Sequence, residues 1–218
     1  MIGTWPYVDA RGATLVEQLM ALLIGSVLIT SLYGYFRAEI YHLLTLETKT
    51  ASLEDARGAL DIMIRDLKNA GSWGSGSVPT EVGSTDDPNS DADLVCNRIY
   101  AASASMIHVQ MDLDGDGNCV DIDPRENIRL EVSGPTTTCA GPNIIRRNGD
   151  CLVAGVVPPA SGKVFTYYDS GGNDLGSTPP FDSIKRVKIS FVVRARNPNP
   201  KVANTLDFAL SSSVELRN

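Results

Sequence analysis

The chain has 218 residues, and setting aside the first 70 as an anchor and stalk leaves about one ordinary domain, for which a single core is the economical expectation. Its 19 basic and 26 acidic residues give a formal net charge of -7, which excludes a chain-wide electrostatic footprint for nucleic acid or anionic lipid. Contacts of that kind are left to local patches.

In chain order, the leader "MIGTWPYVDARG" carries only Arg11 against Asp9 and makes a poor secretory signal, which wants a basic start, a short apolar core and a small-residue cleavage site after it. An apolar segment follows. From Leu19 to Phe36 it runs for 18 residues without a charge, long enough to cross most of a bilayer as a helix. The flanking Arg11 and Arg37 do not decide its orientation. Glu17 sits just inside its N-terminal end. An ionisable side chain at the edge of hydrocarbon is costly without a partner, so this position is a functional candidate.

From Arg37 to Ala70 charges enter, and Leu53, Ala56, Leu60, Met63, Ile64 and Leu67 recur at three- and four-residue steps. That spacing makes one apolar stripe on a helix. No proline interrupts the chain between Pro6 and Pro79, and Gly71 stands where a left-handed residue ends a helix. One continuous helix of about 55 to 58 residues is expected, roughly 85 Å long. Its first half is apolar all round and its second half on one side only. Residues 72 to 93, "SWGSGSVPTEVGSTDDPNSDAD", read as a loop.

The period then changes to two. Ile107, Val109, Met111 and Leu113 alternate with polar neighbours, as do Ile128, Leu130 and Val132, and both runs predict strands with one buried face. Between them lies "DLDGDGNCVDID". Oxygen ligands at positions one, three and five, a glycine at six and a carboxylate at twelve match a calcium loop. The expected ligands of a structural Ca2+ are Asp112, Asp114, Asp116, the Asn118 carbonyl and Asp123, with Asp121 able to replace Asp123 because Asp stands where Glu is usual. Strands flank the loop, so it is not an EF-hand. An acidic hairpin loop with no ion is the alternative.

Further on, Asn148-Gly149 in "IIRRNGDCLVA" is a strong hairpin signal, since a type I′ turn needs positive φ at both centres. "KVFTYYD" from Lys163 predicts a strand. Val187, Ile189, Phe191 and Val193 share one parity, and Leu206, Phe208, Leu210, Val214 and Leu216 another, which predicts a C-terminal hairpin with one face on a core. Arg186, Lys188, Arg194 and Arg196 fall on the opposite face of the first of these strands. A docking or nucleic-acid patch is one reading and a solvated sheet face the other, and the acidic balance of the chain favours the second. The fold class is α+β, a long N-terminal helix on a C-terminal antiparallel sheet domain, with the one-sided part of the helix as its cover.

The four cysteines, Cys96, Cys119, Cys139 and Cys151, all lie in this second half. Confined to the soluble part, they predict two disulfides formed outside the cytosol, and no Cys-x-x-Cys pair points to zinc. Of three connectivities, Cys96 with Cys119 and Cys139 with Cys151 is favoured because each closes a short local loop. For catalysis the sequence is nearly empty. His42 and His108 are its only histidines, and there is no nucleophile-elbow, phosphate-loop or zinc-hydrolase pattern, so no enzyme is expected.

"RGATLVEQLMALLIGSVLI" resembles the cleavage and methylation segment of type IV prepilin-like proteins, and "IMIRDLKNAG", "FTYYD" and "SSVELRN" are similar to minor pilins of the PilW type. The resemblance implies residues 1-12 as a prepilin leader, cut between Gly12 and Ala13 by a prepilin peptidase that methylates the new N-terminus. It implies 13-36 as membrane and filament-core helix, 37-71 as its amphipathic extension, 72-218 as the globular domain, and Glu17 as an assembly residue. Ala13 departs from the family's usual Phe, and Gly25 and Gly34 stand in a helix where many members carry a proline. The implied partners are other pilins and minor pilins, an inner-membrane assembly platform and a large tip adhesin, with a globular domain that is periplasmic first and extracellular in the pilus. A pseudopilin of type II secretion is the nearest alternative. An uncleaved, membrane-anchored, calcium-dependent binding or adhesion domain is the alternative from another class.

Overall fold

The computed structural model describes residues 14–74, 96–115, 125–135, 139, 143–199, 202 and 204–217. One helix, α1 (Leu15–Asn69), runs for 55 residues. The chain forms two compact units, Met1–Leu46 and Glu47–Asn218.

In the first unit, no described side chain is buried. Leu15, Leu22 and Ile29 are each 70% exposed or more, and the apolar residues between them are scarcely less so. α1 is long and apolar enough to cross a membrane. The polar side chains within this stretch satisfy themselves locally: the Ser26, Thr30 and Ser31 hydroxyls donate at 2.8 Å to the carbonyls of Leu23, Ser26 and Val27. A helix in hydrocarbon needs that internal bonding, because no water is there to replace it.

In the second unit, the rest of α1 carries the expected one-sided stripe. Ala56, Ala59, Leu60, Met63 and Leu67 are buried, and Leu53 and Ile64 lie at its margin. The same stripe contains a charge, Asp66, only 4% exposed. The helix ends where the composition places its stop. Gly71 has φ 72°, but its N–H is donated to the Gln110 carbonyl at 3.0 Å rather than back to the helix, so the stop is also a junction with the strands.

The antiparallel strands form two sheets where one was expected. The first is a meander in chain order, β1 (Ile99–Ala102), β2 (Met106–Gln110), β3 (Asn127–Ser133), β4 (Ile144–Arg147) and β5 (Asp150–Ala154). The second is built on β8 (Arg186–Arg196). Its one edge pairs along its whole length with β9 (Thr205–Glu215), and its other edge takes β6 (Val156–Val157) and β7 (Phe165–Tyr168). A short 3-10 turn, Phe181–Ser183, precedes β8. β1 and β6 escape a reading by period because "IYAA" and "VV" are too short to alternate.

Two local devices set this topology. Asn148 and Gly149, at φ 51° and 89°, turn β4 back onto β5 as the type I′ signal requires. Gly155, at φ 71°, carries the chain from the first sheet into the second, and a Cβ there would lie 2.7 Å from the Arg194 carbonyl oxygen. Only glycine combines that dihedral with that approach. Side chains of α1, both sheets and the loops join in one hydrophobic cluster, in which Tyr167, Phe165, Phe191, Met63 and Leu67 are fully buried. Tyr167 ties the sheets together, its hydroxyl donating to the Ser103 and Met106 carbonyls at 2.7 and 2.9 Å.

Candidate functional site

Two places in the described residues carry more than packing. The first is the start of α1. Gly12 and Ala13, the expected cleavage and methylation positions, lie outside the described residues. Glu17 is described, and its carboxylate accepts from the Thr14 N–H at 2.8 Å and the Thr14 hydroxyl at 3.1 Å, while its own N–H is donated to Thr14 Oγ1 at 3.3 Å. This is a capping box, in which Thr and the Glu three residues later satisfy each other's N–H groups at a helix start. The Thr-x-x-Glu spacing before an apolar run is its sequence signal. Glu17 therefore has an intrachain role in addition to any pairing between chains.

The second is an acidic cluster. Carboxylate oxygens of Asp112, Asp114 and Glu126 lie within 4.8 Å of one another. Asp112 leaves the end of β2 buried, with Oδ1 accepting the Gly115 N–H at 2.7 Å. Its backbone is held by the segment after α1: its N–H is donated to the Ser72 carbonyl and its carbonyl accepts the Gly74 N–H, both at 2.9 Å, with Trp73 opposite in a parallel bridge. Because that pairing takes Asp112 inward, the alternation expected to bury Leu113 fails. Met111 and Asp112 are both buried and Leu113 is 48% exposed.

Glu126 comes from the other side of the loop, directly before β3. It is 1% exposed, and its Oε1 accepts the N–H groups of Leu113 at 2.7 Å and Asp114 at 3.1 Å. Its Oε2 is buried with no hydrogen-bond partner among the described residues. Burial pushes the Glu126 carboxyl above its ordinary pKa, the two backbone donors pull it down, and the charges of Asp114 and Asp112 act with burial.

Of the five expected ligands, the structure brings Asp112 and Asp114 together, and Asp116, Asn118 and Asp123 lie outside the described residues. Glu126 was not among them, because it falls beyond a twelve-residue loop. A signal for it exists, since Glu126 shares the parity of Ile128 and Leu130, both buried, so the β3 alternation carried two residues back places a carboxylate on the core side.

Elsewhere, Cys139 and Cys151 are joined by a disulfide, with Cα atoms 6.0 Å apart. The expected Cys96–Cys119 bridge has one end outside the described residues. Arg186, Lys188, Arg194 and Arg196 do share the face of β8 opposite its buried residues. Two of them are engaged there. Arg194 makes a two-pronged pair with Asp207 of β9, both bonds 2.8 Å, and the Arg186 guanidinium lies over the Tyr168 ring, 4.7 Å from its centre. The paired guanidinium holds the Asp207 carboxyl below its ordinary pKa. His108 is hydrogen-bonded to Asn127 and meets the Tyr100 ring edge-on at 4.4 Å, and burial lowers its pKa. His42 is exposed on α1.

Compared with protein-family models, curated proteins and solved structures, the chain matches none. What it does rests on its own residues.

Proposed function

We propose that the chain is a structural subunit of the type IV pilin kind, a minor pilin that helps initiate or cap a pilus. The observation that supports it is the division of labour along α1: none of its described residues up to Leu46 is buried, while the turns from Ala56 onward are part of the core. An apolar helix surface left exposed to this extent suits a membrane first and like helices afterwards. Assembly by head-to-tail contacts whose rotation does not close then produces a filament.

In this reading the chain waits in the inner membrane with its globular unit in the periplasm. A prepilin peptidase cuts after Gly12, and the assembly platform moves the subunit into an extracellular filament of pilins and minor pilins, with a tip adhesin among its partners. Cleavage leaves an ammonium at Ala13, next to the Thr14–Glu17 box. Glu17 caps its own helix and also pairs with the ammonium of a neighbouring subunit, because a charge in an apolar filament core requires an opposite one. The reading gives the chain no catalytic chemistry.

N-terminal sequencing of the chain recovered from its membrane tests the proposal, with methylated Ala13 as the expected first residue. An intact Met1 would point instead to a fixed membrane anchor. Glu17→Gln and Glu17→Ala separate the two roles of the carboxylate. The amide retains an acceptor for the capping box and loses the charge, so both variants are expected to be cleaved and both to enter filaments poorly. Normal incorporation of Glu17→Gln would leave Glu17 with the capping role alone.

A further inference from the structure

We infer that Asp112, Asp114 and Glu126 bind a calcium ion, with Glu126 as the ligand that closes the site. The inference stands on its own geometry and does not rest on the pilus reading. Two observations meet here independently. One is placement, since two stretches of chain, one leaving β2 and one entering β3, bring carboxylate oxygens of three residues within 4.8 Å of one another. The other is Glu126 itself, buried to 1% exposure with Oε2 lacking a hydrogen-bond partner among the described residues. Among the described residues, the charges of Asp114 and Asp112 act on it, both of its own sign. A buried carboxylate oxygen with no donor is among the less tolerable arrangements in a protein interior, and like charges beside it add to the cost. One divalent cation supplies the missing partner and offsets two of the cluster's three negative charges.

The donor set selects the ion. Three carboxylates with no nitrogen or sulfur suit a hard cation and not zinc or copper. Calcium takes about six to eight oxygens in irregular geometry, whereas magnesium demands a near-octahedral shell and gives up its waters reluctantly. Asp114 is exposed, which leaves one side open for water ligands. The site also lies at a joint. Asp112 is bonded through its backbone to Ser72 and Gly74 just past α1, so an ion there fastens the exit of the helix, the end of β2 and the start of β3 to one another.

The full chain in detergent, stripped of metal by a chelator, provides the test. Trp5→Phe leaves Trp73, opposite Asp112, as the single tryptophan of the chain's two. Calcium at about 1 mM, the range of extracellular calcium modules, is expected to raise the melting temperature and shift the Trp73 emission, with magnesium at the same concentration doing less. Glu126→Gln keeps the volume and an oxygen acceptor and is expected to weaken half-saturation by about tenfold or more. Asp114→Asn, at an exposed position, should weaken it too and serves if the buried variant does not fold. The inference fails if calcium moves neither the melting temperature nor the emission, if the folded variants titrate like the unmodified chain, or if magnesium matches calcium.

Discussion

Asp66 and Arg147 illustrate how a single residue can contradict a pattern and still belong to it. The position of Asp66 on the α1 stripe asks for an apolar side chain, and a carboxylate there is tolerated because Arg147 of β4 donates to it from Nε at 2.8 Å. The partners are unequal. The Asp66 side chain is 5% exposed and that of Arg147 24%, so the guanidinium can turn to water if stranded and the carboxylate cannot. Arg147→Ala, which strands the buried charge, should therefore cost about 2 to 4 kcal/mol, and Asp66→Asn, which removes that charge, clearly less. Urea denaturation of the two variants measures the order, and the reverse order would show that the pair contributes mainly through packing. Neither partner is legible in the sequence, because period arguments place residue types on faces but do not say which charge from a distant strand will meet them.

Among the elements, the strength of the local signal decides what can be read in advance. The β4–β5 hairpin follows from Asn148-Gly149 alone, since both residues that need positive φ are adjacent in the chain. Gly155 has an equally unusual φ, yet its deeper requirement comes from β8, whose Arg194 N–H is donated to the Gly155 carbonyl at 2.8 Å and whose own carbonyl closes the space for a side chain. The two glycines should respond differently to alanine. Gly149→Ala meets only the dihedral strain, about 1 kcal/mol, because nothing stands near its missing Cβ. Gly155→Ala adds a clash with backbone that has no rotamer to escape into, and should lower the denaturation midpoint well beyond that. Equal midpoints would mean that the junction between the sheets yields easily.

For the whole molecule, the decisive contacts are those that make two sheets and a helix share one core. Tyr167 is central to this, with its ring fully buried and its hydroxyl bonded to the turn between β1 and β2. Burial raises its pKa strongly, so the phenol remains a neutral donor throughout the ordinary pH range. Tyr167→Phe keeps the ring and leaves the two carbonyls without their shared donor, for an expected loss of about 1 to 2 kcal/mol in the melting of the globular unit. Retention of full stability would assign the joining of the sheets to apolar packing alone.

Near neighbours and period are enough for the long helix and its change from all-round to one-sided apolarity, the parity of β3, β8 and β9, the tight hairpin, and a loop able to gather carboxylates. These follow from three- to four-residue and two-residue repeats and from dihedral demands inside a few residues. The rest came with the folded arrangement: that there are two sheets with Gly155 between them, that Arg147 answers Asp66, that Thr14 and Glu17 close on each other, and that Glu126 joins the acidic cluster. Most of these are meetings of groups far apart in the chain, chosen by the shape of the core, and no local pattern encodes which distant partner that shape will deliver. The Thr14–Glu17 box is the exception, a local motif overshadowed by the charge it contains.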